Sequence, residues 1–506
     1  MTPKQTGSSL LSRGAALHLR RLSANTALQI GGQLAPMIAG IVSVSLIYRN
    51  IGATGFGIFS IALSVLGLFS FLDLGLGRAT VRFAARAFSG GDVEGAASIT
   101  VQSILYLGSF ALLLCVLGLV FSSALANNWI KARPEEHEVL RQCLILLAAA
   151  IPFGGLTSVF RSVLESRERF FAISVMQAAV GTGTYVLPLM LSYWTVNLAA
   201  IVAGAVACRV VGFVAFGVAA FGSWAEGFPW ASVSFKAQPE FRQFSFWTVL
   251  SNILGAGIVY GDRALLVRMF GLAEIPFYNV PLELLGRAMI TMNSAVTVVF
   301  PSLARFAGNK IVFGRLYVAL ATLLSAGLGI IFVVGAIATP AVLGLWLGSA
   351  FRVHSTLLVR IFLVGVAFQS FNMMSLASVN ARGLAKPITL MHLVEVPLYF
   401  WALFQFGTHF GLAGIATTWA GRLVIEYFCF AAFQGHLAHG DDALRQWVGS
   451  AMGACNIAPV ALVVIYGTAI PALIFCGAAV TVSTVWALVQ LRDLQRDEGR
   501  VHSAGA

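Results

Sequence analysis

The chain has 506 residues, 58% of them hydrophobic and only 10% charged, with a formal net charge of +12 and a mean hydropathy of +0.86. A soluble protein needs about 25% charged residues to cover its surface, so this composition excludes a water-soluble globule. Repeated apolar runs of membrane length, without short alternating strands, exclude a β-barrel as well, and the expectation is an all-α polytopic membrane protein.

Residues 1–24 form a basic tail with Lys4, Arg13, Arg20 and Arg21. It reads as a cytoplasmic anchor, because the apolar run that follows is too long for a signal-peptide core. Apolar spans are expected at 25–48, 56–76, 97–121, 142–160, 171–193 and 198–221, which make an N-terminal six-helix lobe over 25–221. The polar stretch 222–243 is expected to be a cytoplasmic linker. A second six-helix lobe over 244–433 follows, with spans at 244–267, 277–300, 316–345, 357–378, 388–406 and 412–433. Residues 434–491 supply a loop and a further helix pair, and 492–506 a charged cytoplasmic tail. The six cysteines lie singly in apolar runs, so no metal site and no disulfide framework is expected.

These fourteen spans can be tested by charge. With the N-terminus in the cytoplasm, 21 Lys and Arg fall on the inside and 6 on the outside, with 5 inside spans. That bias fits the positive-inside rule and places both termini on the cytoplasmic side. It also accounts for the net charge through membrane lipids, without nucleic acid. A weak internal repeat supports two related halves: Arg49/Arg268, Gly52/Gly271, Gly67/Gly286 and Arg86/Arg305 match at one offset of 219 residues. An even number of spans separates the copies, so both point the same way, as expected for lobes related by a pseudo-two-fold axis along the membrane normal.

Ionisable groups inside spans are costly and face a cavity or a partner. Asn279, Glu283, Arg287 and Thr291 recur every four residues on one helix face and read as a polar stripe lining a cavity; the Glu283–Arg287 spacing also permits an internal ion pair. Gln29 and Gln33 make a similar stripe on the first span. Arg209, Asp262, Arg263, and the pair Arg422 and Glu426 complete the expected cavity set. His392 and Glu395, three residues apart, are candidates for ion coupling. Arg78, Arg82 and Arg86 lie on one face just past the second span, where guanidinium groups could receive a phosphate headgroup. No nucleotide-binding loop, metalloprotease motif or nucleophile elbow occurs, so a transporter without catalytic residues, metal or cofactor is expected rather than an enzyme.

The residues Arg49-Asn-Ile-Gly52, Gly55-Phe56-Gly57-Ile-Phe59-Ser60 and Leu72-Asp73-Leu-Gly75, with Asp262-Arg263, Gly271, Phe277-Tyr278-Asn279 and Ala381-Arg382-Gly383, resemble the polysaccharide transport family. That family includes O-antigen and exopolysaccharide flippases and belongs to the multidrug/oligosaccharidyl-lipid/polysaccharide superfamily. The resemblance implies movement of an undecaprenyl-pyrophosphate-linked oligosaccharide across the cytoplasmic membrane by alternating access, with polysaccharide polymerase and assembly proteins as partners. The first span carries no arginine, unlike the lipid II flippases, which favours an O-antigen or capsule-type unit over a peptidoglycan precursor. Two other readings stay open: a multidrug/cation antiporter of the same superfamily, and an intramembrane glycan polymerase or ligase. The latter is disfavoured because no long outer loop is present.

Overall fold

The structure is a computed structural model that describes residues 4–68, 76–224, 227–235, 239–286, 310–381, 385–437, 441–466 and 469–504. Helices dominate, and no strand occurs among the described residues. In chain order they are α1 (Lys4–Leu68), α2 (Leu76–Ser89), α3 (Val93–Ala124), α4 (His137–Ser166), α5 (Phe170–Trp194), α6 (Leu198–Phe221), α7 (Pro239–Phe270), α8 (275–286), α9 (Lys310–Trp346), α10 (Ser349–Ala381), α11 (Ala385–Leu437), α12 (Asp441–Tyr466) and α13 (Ala469–Ala504). Eight of the described stretches are long and apolar enough to cross a membrane, a count that takes the folded-back α1 as one stretch. The chain is a multi-pass helical membrane protein.

Two of these helices bend back on themselves at a glycine. In α1 the break is Gly52, with φ 70°. Eight helical residues span about 12 Å, yet the rings of Tyr48 and Phe56 meet at 5.6 Å, so the chain must turn between them. In α11 the break is Gly411, with φ 63°, and an ion pair links its two halves. Both glycines take a left-handed conformation that a side chain would strain. Gly271, the repeat partner of Gly52, has φ 82°. The match at this position therefore has a backbone cause.

The chain divides into two compact units, Met1–Tyr260 with Gly271–Ala273, and Gly261–Phe270 with Glu274–Ala506. In the first, α2 buries Leu76, Ala79, Phe83 and Ala84 against Ile99 and Leu107 of α3 and Val159 of α4. Thr80 and Ser103 share a hydrogen bond of 2.7 Å beneath this face. Arg82 and Arg86 stand on the opposite, exposed face. The segment after α6 is tied to this unit. Gln102 donates to the Ser234 carbonyl at 2.8 Å, and the Ser234 N–H donates to Ser98 Oγ at 2.9 Å. Trp224 is buried beside Phe88 and Phe228, and the Arg167 guanidinium lies 4.8 Å from the Phe88 ring.

In the second unit, aromatic contacts join α8 to α10 (Phe277 to Phe351 at 4.9 Å, Tyr278 to Phe362 at 5.0 Å). A polar clamp joins α9, α12 and α13. Asn456 is fully buried, donates to Ser325 Oγ at 2.7 Å and accepts from Ser483 Oγ at 3.0 Å. Lipid offers no substitute partner for such a group. Asn456→Leu is expected to cost about 1–2 kcal/mol, read as a lower thermal unfolding midpoint of the purified protein in detergent; an unchanged midpoint would refute the clamp.

Candidate functional site

The second unit holds a set of charged and aromatic side chains contributed by α7, α8 and both halves of α11. Asp262 on α7 is fully buried; it accepts from the Tyr278 hydroxyl at 2.7 Å and from the Arg263 backbone N–H at 2.7 Å. Arg263 Nε donates to Asn279 Oδ1 at 3.1 Å. These contacts exist because α7 reverses at Gly271 and lays α8 beside its own end. Residues 262 and 278, sixteen apart, thereby come face to face.

On α11 the reversal at Gly411 brings a second set together. His392 Nδ1 lies 2.8 Å from Glu395 Oε2, one turn along the same helix half. Arg422, on the returning half, reaches across to Glu395 Oε1 at 2.9 Å. Its contact with Glu426, four residues on, is longer at 3.7 Å. The Arg422 guanidinium also sits 5.5 Å from the ring of Tyr399. Between the two halves opens a cavity of about 710 Å³, walled by Val394, Leu398, Trp401, Phe406 and Ile425, with Glu395, Tyr399, Arg422 and Glu426 along it. Among the described residues, the Tyr399 hydroxyl, Glu426 Oε2 and Arg422 Nε have no hydrogen-bond partner. The wall is almost wholly apolar and suits a hydrocarbon chain better than a polar solute, with the ionic side chains set behind it.

Counted by charge, Asp262, Glu395 and Glu426 face Arg263 and Arg422. The carboxyl groups of this set outnumber its arginines by one. Such a set accepts a proton or a cation; its two arginines are already engaged and are poorly placed to hold a phosphate. Arg209 is the opposite case. It lies in α6 of the first unit, its Nε is buried without a hydrogen-bond partner, and no carboxylate pairs with it among the described residues. Tyr185 and Tyr260 are within electrostatic reach of it.

The sequence-predicted residues thus fall into groups. Asp262, Arg263 and Asn279 form one network, and His392, Glu395, Arg422 and Glu426 form another, all in the second unit. Glu283 is half-buried on α8, whereas Arg287, and with it the expected Glu283–Arg287 pair, lies outside the described residues. Gln33 is exposed on α1, and the side chains of Gln29 and Arg78 lie outside the described set. Sequence reasoning missed Tyr278 and Tyr399. The signal for Tyr399 was available: residues 392, 395 and 399 share one helix face by spacing.

A Shigella flexneri protein carrying the name of an O-antigen transporter is 26% identical over 404 residues, covering 79% of this chain and 95% of that protein. Among solved structures, the lipid II flippase MurJ in an inward closed conformation has a TM-score of 0.67 at 13% identity, covering 93% of this chain and 99% of that one. An inward-facing multidrug resistance transporter of the MATE family, from the MOP superfamily, has a TM-score of 0.62 at 14% identity, covering 87% and 98%. At those identities the two structures establish the fold alone. Residues 22–307, more than half of the chain, match the family described as polysaccharide biosynthesis protein, and the chain belongs to that family.

Proposed function

We propose that this protein flips an undecaprenyl-pyrophosphate-linked oligosaccharide, a repeat unit of O-antigen, capsule or exopolysaccharide, from the cytoplasmic to the outer leaflet by alternating access. The observation that carries the proposal is the placing of ionic side chains beside an apolar cavity between the two halves of α11 in a polysaccharide biosynthesis protein. Both the lipid and the glycan ends of such a substrate then have matching chemistry. The O-antigen transporter name of the Shigella relative and the MurJ-like fold favour the same reading.

In this reading the N-terminus is cytoplasmic, and lobes 25–221 and 244–433 move about the linker 222–243. Arg78, Arg82 and Arg86 receive the pyrophosphate, and Arg209, which has no carboxylate partner among the described residues, seats it within the membrane. Gln29, Gln33, Asn279, Glu283 and Arg287 line the path. The His392–Glu395 pair takes a coupling proton, and a polymerase acts on the unit after release.

The test is removal of the protein from its native cell. Lipid-linked repeat units are expected to accumulate on the cytoplasmic side, with loss of surface glycan. Normal surface glycan at unchanged intermediate levels would sink the proposal. One observation favours a second reading, the carboxyl groups in excess of arginines beside the α11 cavity, which suit a hydrophobic cation. That reading, a multidrug/cation antiporter, predicts normal glycan and raised sensitivity to cationic dyes in the same deletion strain.

A further inference from the structure

We infer that Arg360 is a positioning residue that holds a proline-made break in α9, so that the end of α9 is hinged and set in angle by a side chain of α10. In an α-helix the carbonyl of residue i accepts from the N–H of residue i+4. Pro340 lies inside α9 and has no N–H, so the Ala336 carbonyl is deprived of its helical donor. That same carbonyl accepts from Arg360 Nε at 3.1 Å. Ala336 is fully buried, so water does not take the donor's place.

The choice of residue is informative. An arginine inside a span is costly, and this one forms no ion pair among the described residues. Its resolved bond goes to the neutral carbonyl whose regular helical donor Pro340 lacks. The helices run close enough for this reach, with Gly335 against the Leu363 side chain. Past the break, α9 continues to Trp346 and turns at Gly348, φ 95°, into α10. In this last piece Leu343 and Leu347 are buried while Leu345 is 85% exposed, so packing holds one face of it and leaves the other open. The Arg360 bond adds to that packing a tie at the one backbone position that Pro340 leaves open. The inference concerns the second unit by itself and does not depend on what the protein transports.

Hydrogen exchange on the purified full-length protein in detergent micelles tests it, read on peptides covering 341–347. Arg360→Met is expected to speed exchange there about ten-fold, the scale of one lost buried hydrogen bond. Adding Pro340→Ala should return exchange to within about two-fold of the unmodified protein, because the restored N–H closes on the Ala336 carbonyl. Adding Pro188→Ala instead should give no recovery. Unchanged exchange in Arg360→Met, or a double variant as fast as the single one, would overturn the inference. If Arg360→Met fails to accumulate folded protein, recovery on adding Pro340→Ala supports the clamp and failure to recover refutes it.

Discussion

Arg422→Met is expected to be the most damaging single charge change in the chain. Arg422 is the cation that Glu395 and Glu426 share, at 2.9 Å and 3.7 Å, and its side chain and theirs are largely buried. Without it Glu395 keeps only His392, and Glu426 loses its sole ion-pair partner among the described residues. Removing one member of a buried ionic set costs about 3–5 kcal/mol, because the remaining charge stays desolvated. The expected result is a large fall in folded protein recovered from the membrane and in its unfolding midpoint. The triple variant Glu395→Gln, Arg422→Met, Glu426→Gln removes the charges together and should recover most of that stability. Surface glycan measured in the triple variant then separates roles: stability regained with glycan still absent assigns the set to transport. Full recovery of both would make it a packing device only.

Gly57→Ala is expected to have the second-largest effect, for a different reason. A Cβ at Gly57 would land on the backbone carbonyl of Leu272. A side chain in the way could rotate; a backbone carbonyl cannot, so either α1 or the turn at 271–274 must shift. Overpacking of this kind costs about 1–3 kcal/mol, and a displaced turn should also disturb the Asp262–Tyr278 contact that follows from it. Gly257→Ala is the matched control. It lies in helix α7 with nothing within 4 Å of the added carbon, so it should be neutral or mildly stabilising. Equal unfolding midpoints for the two variants would show that the Leu272 approach imposes no constraint.

These residues also show what the sequence could and could not disclose. The helical membrane class followed from charge scarcity and run length, both of which are local. The Gly52/Gly271 match was visible as identity, and the structure gives it a cause in two left-handed glycines. The His392–Glu395 pair was legible because both residues lie on one helix half, three apart. Arg422 was legible only in part. Its spacing pointed to Glu426, but the shorter bond goes to Glu395, 27 residues earlier, and depends on the reversal at Gly411. Asp262 facing Tyr278 has the same character, since it needs the Gly271 turn. Arg360 drew no attention as a site because its partner is a carbonyl, and a carbonyl made available by a proline carries no mark in residue spacing. What spacing conveys is one helix face; what it omits is which faces the turns bring together.

The reversals at Gly52 and Gly411 have a practical corollary. Each joins two long helical runs through a single non-helical residue, with no loop between them. An epitope tag, a protease site or an impermeant label has nowhere to go at either point without unzipping the hairpin. Residues 131–136, by contrast, include exposed Lys131, Arg133 and Glu135 between α3 and α4 and can carry such a probe. Labelling studies of the protein's topology should therefore begin at 131–136 and leave the two bends intact.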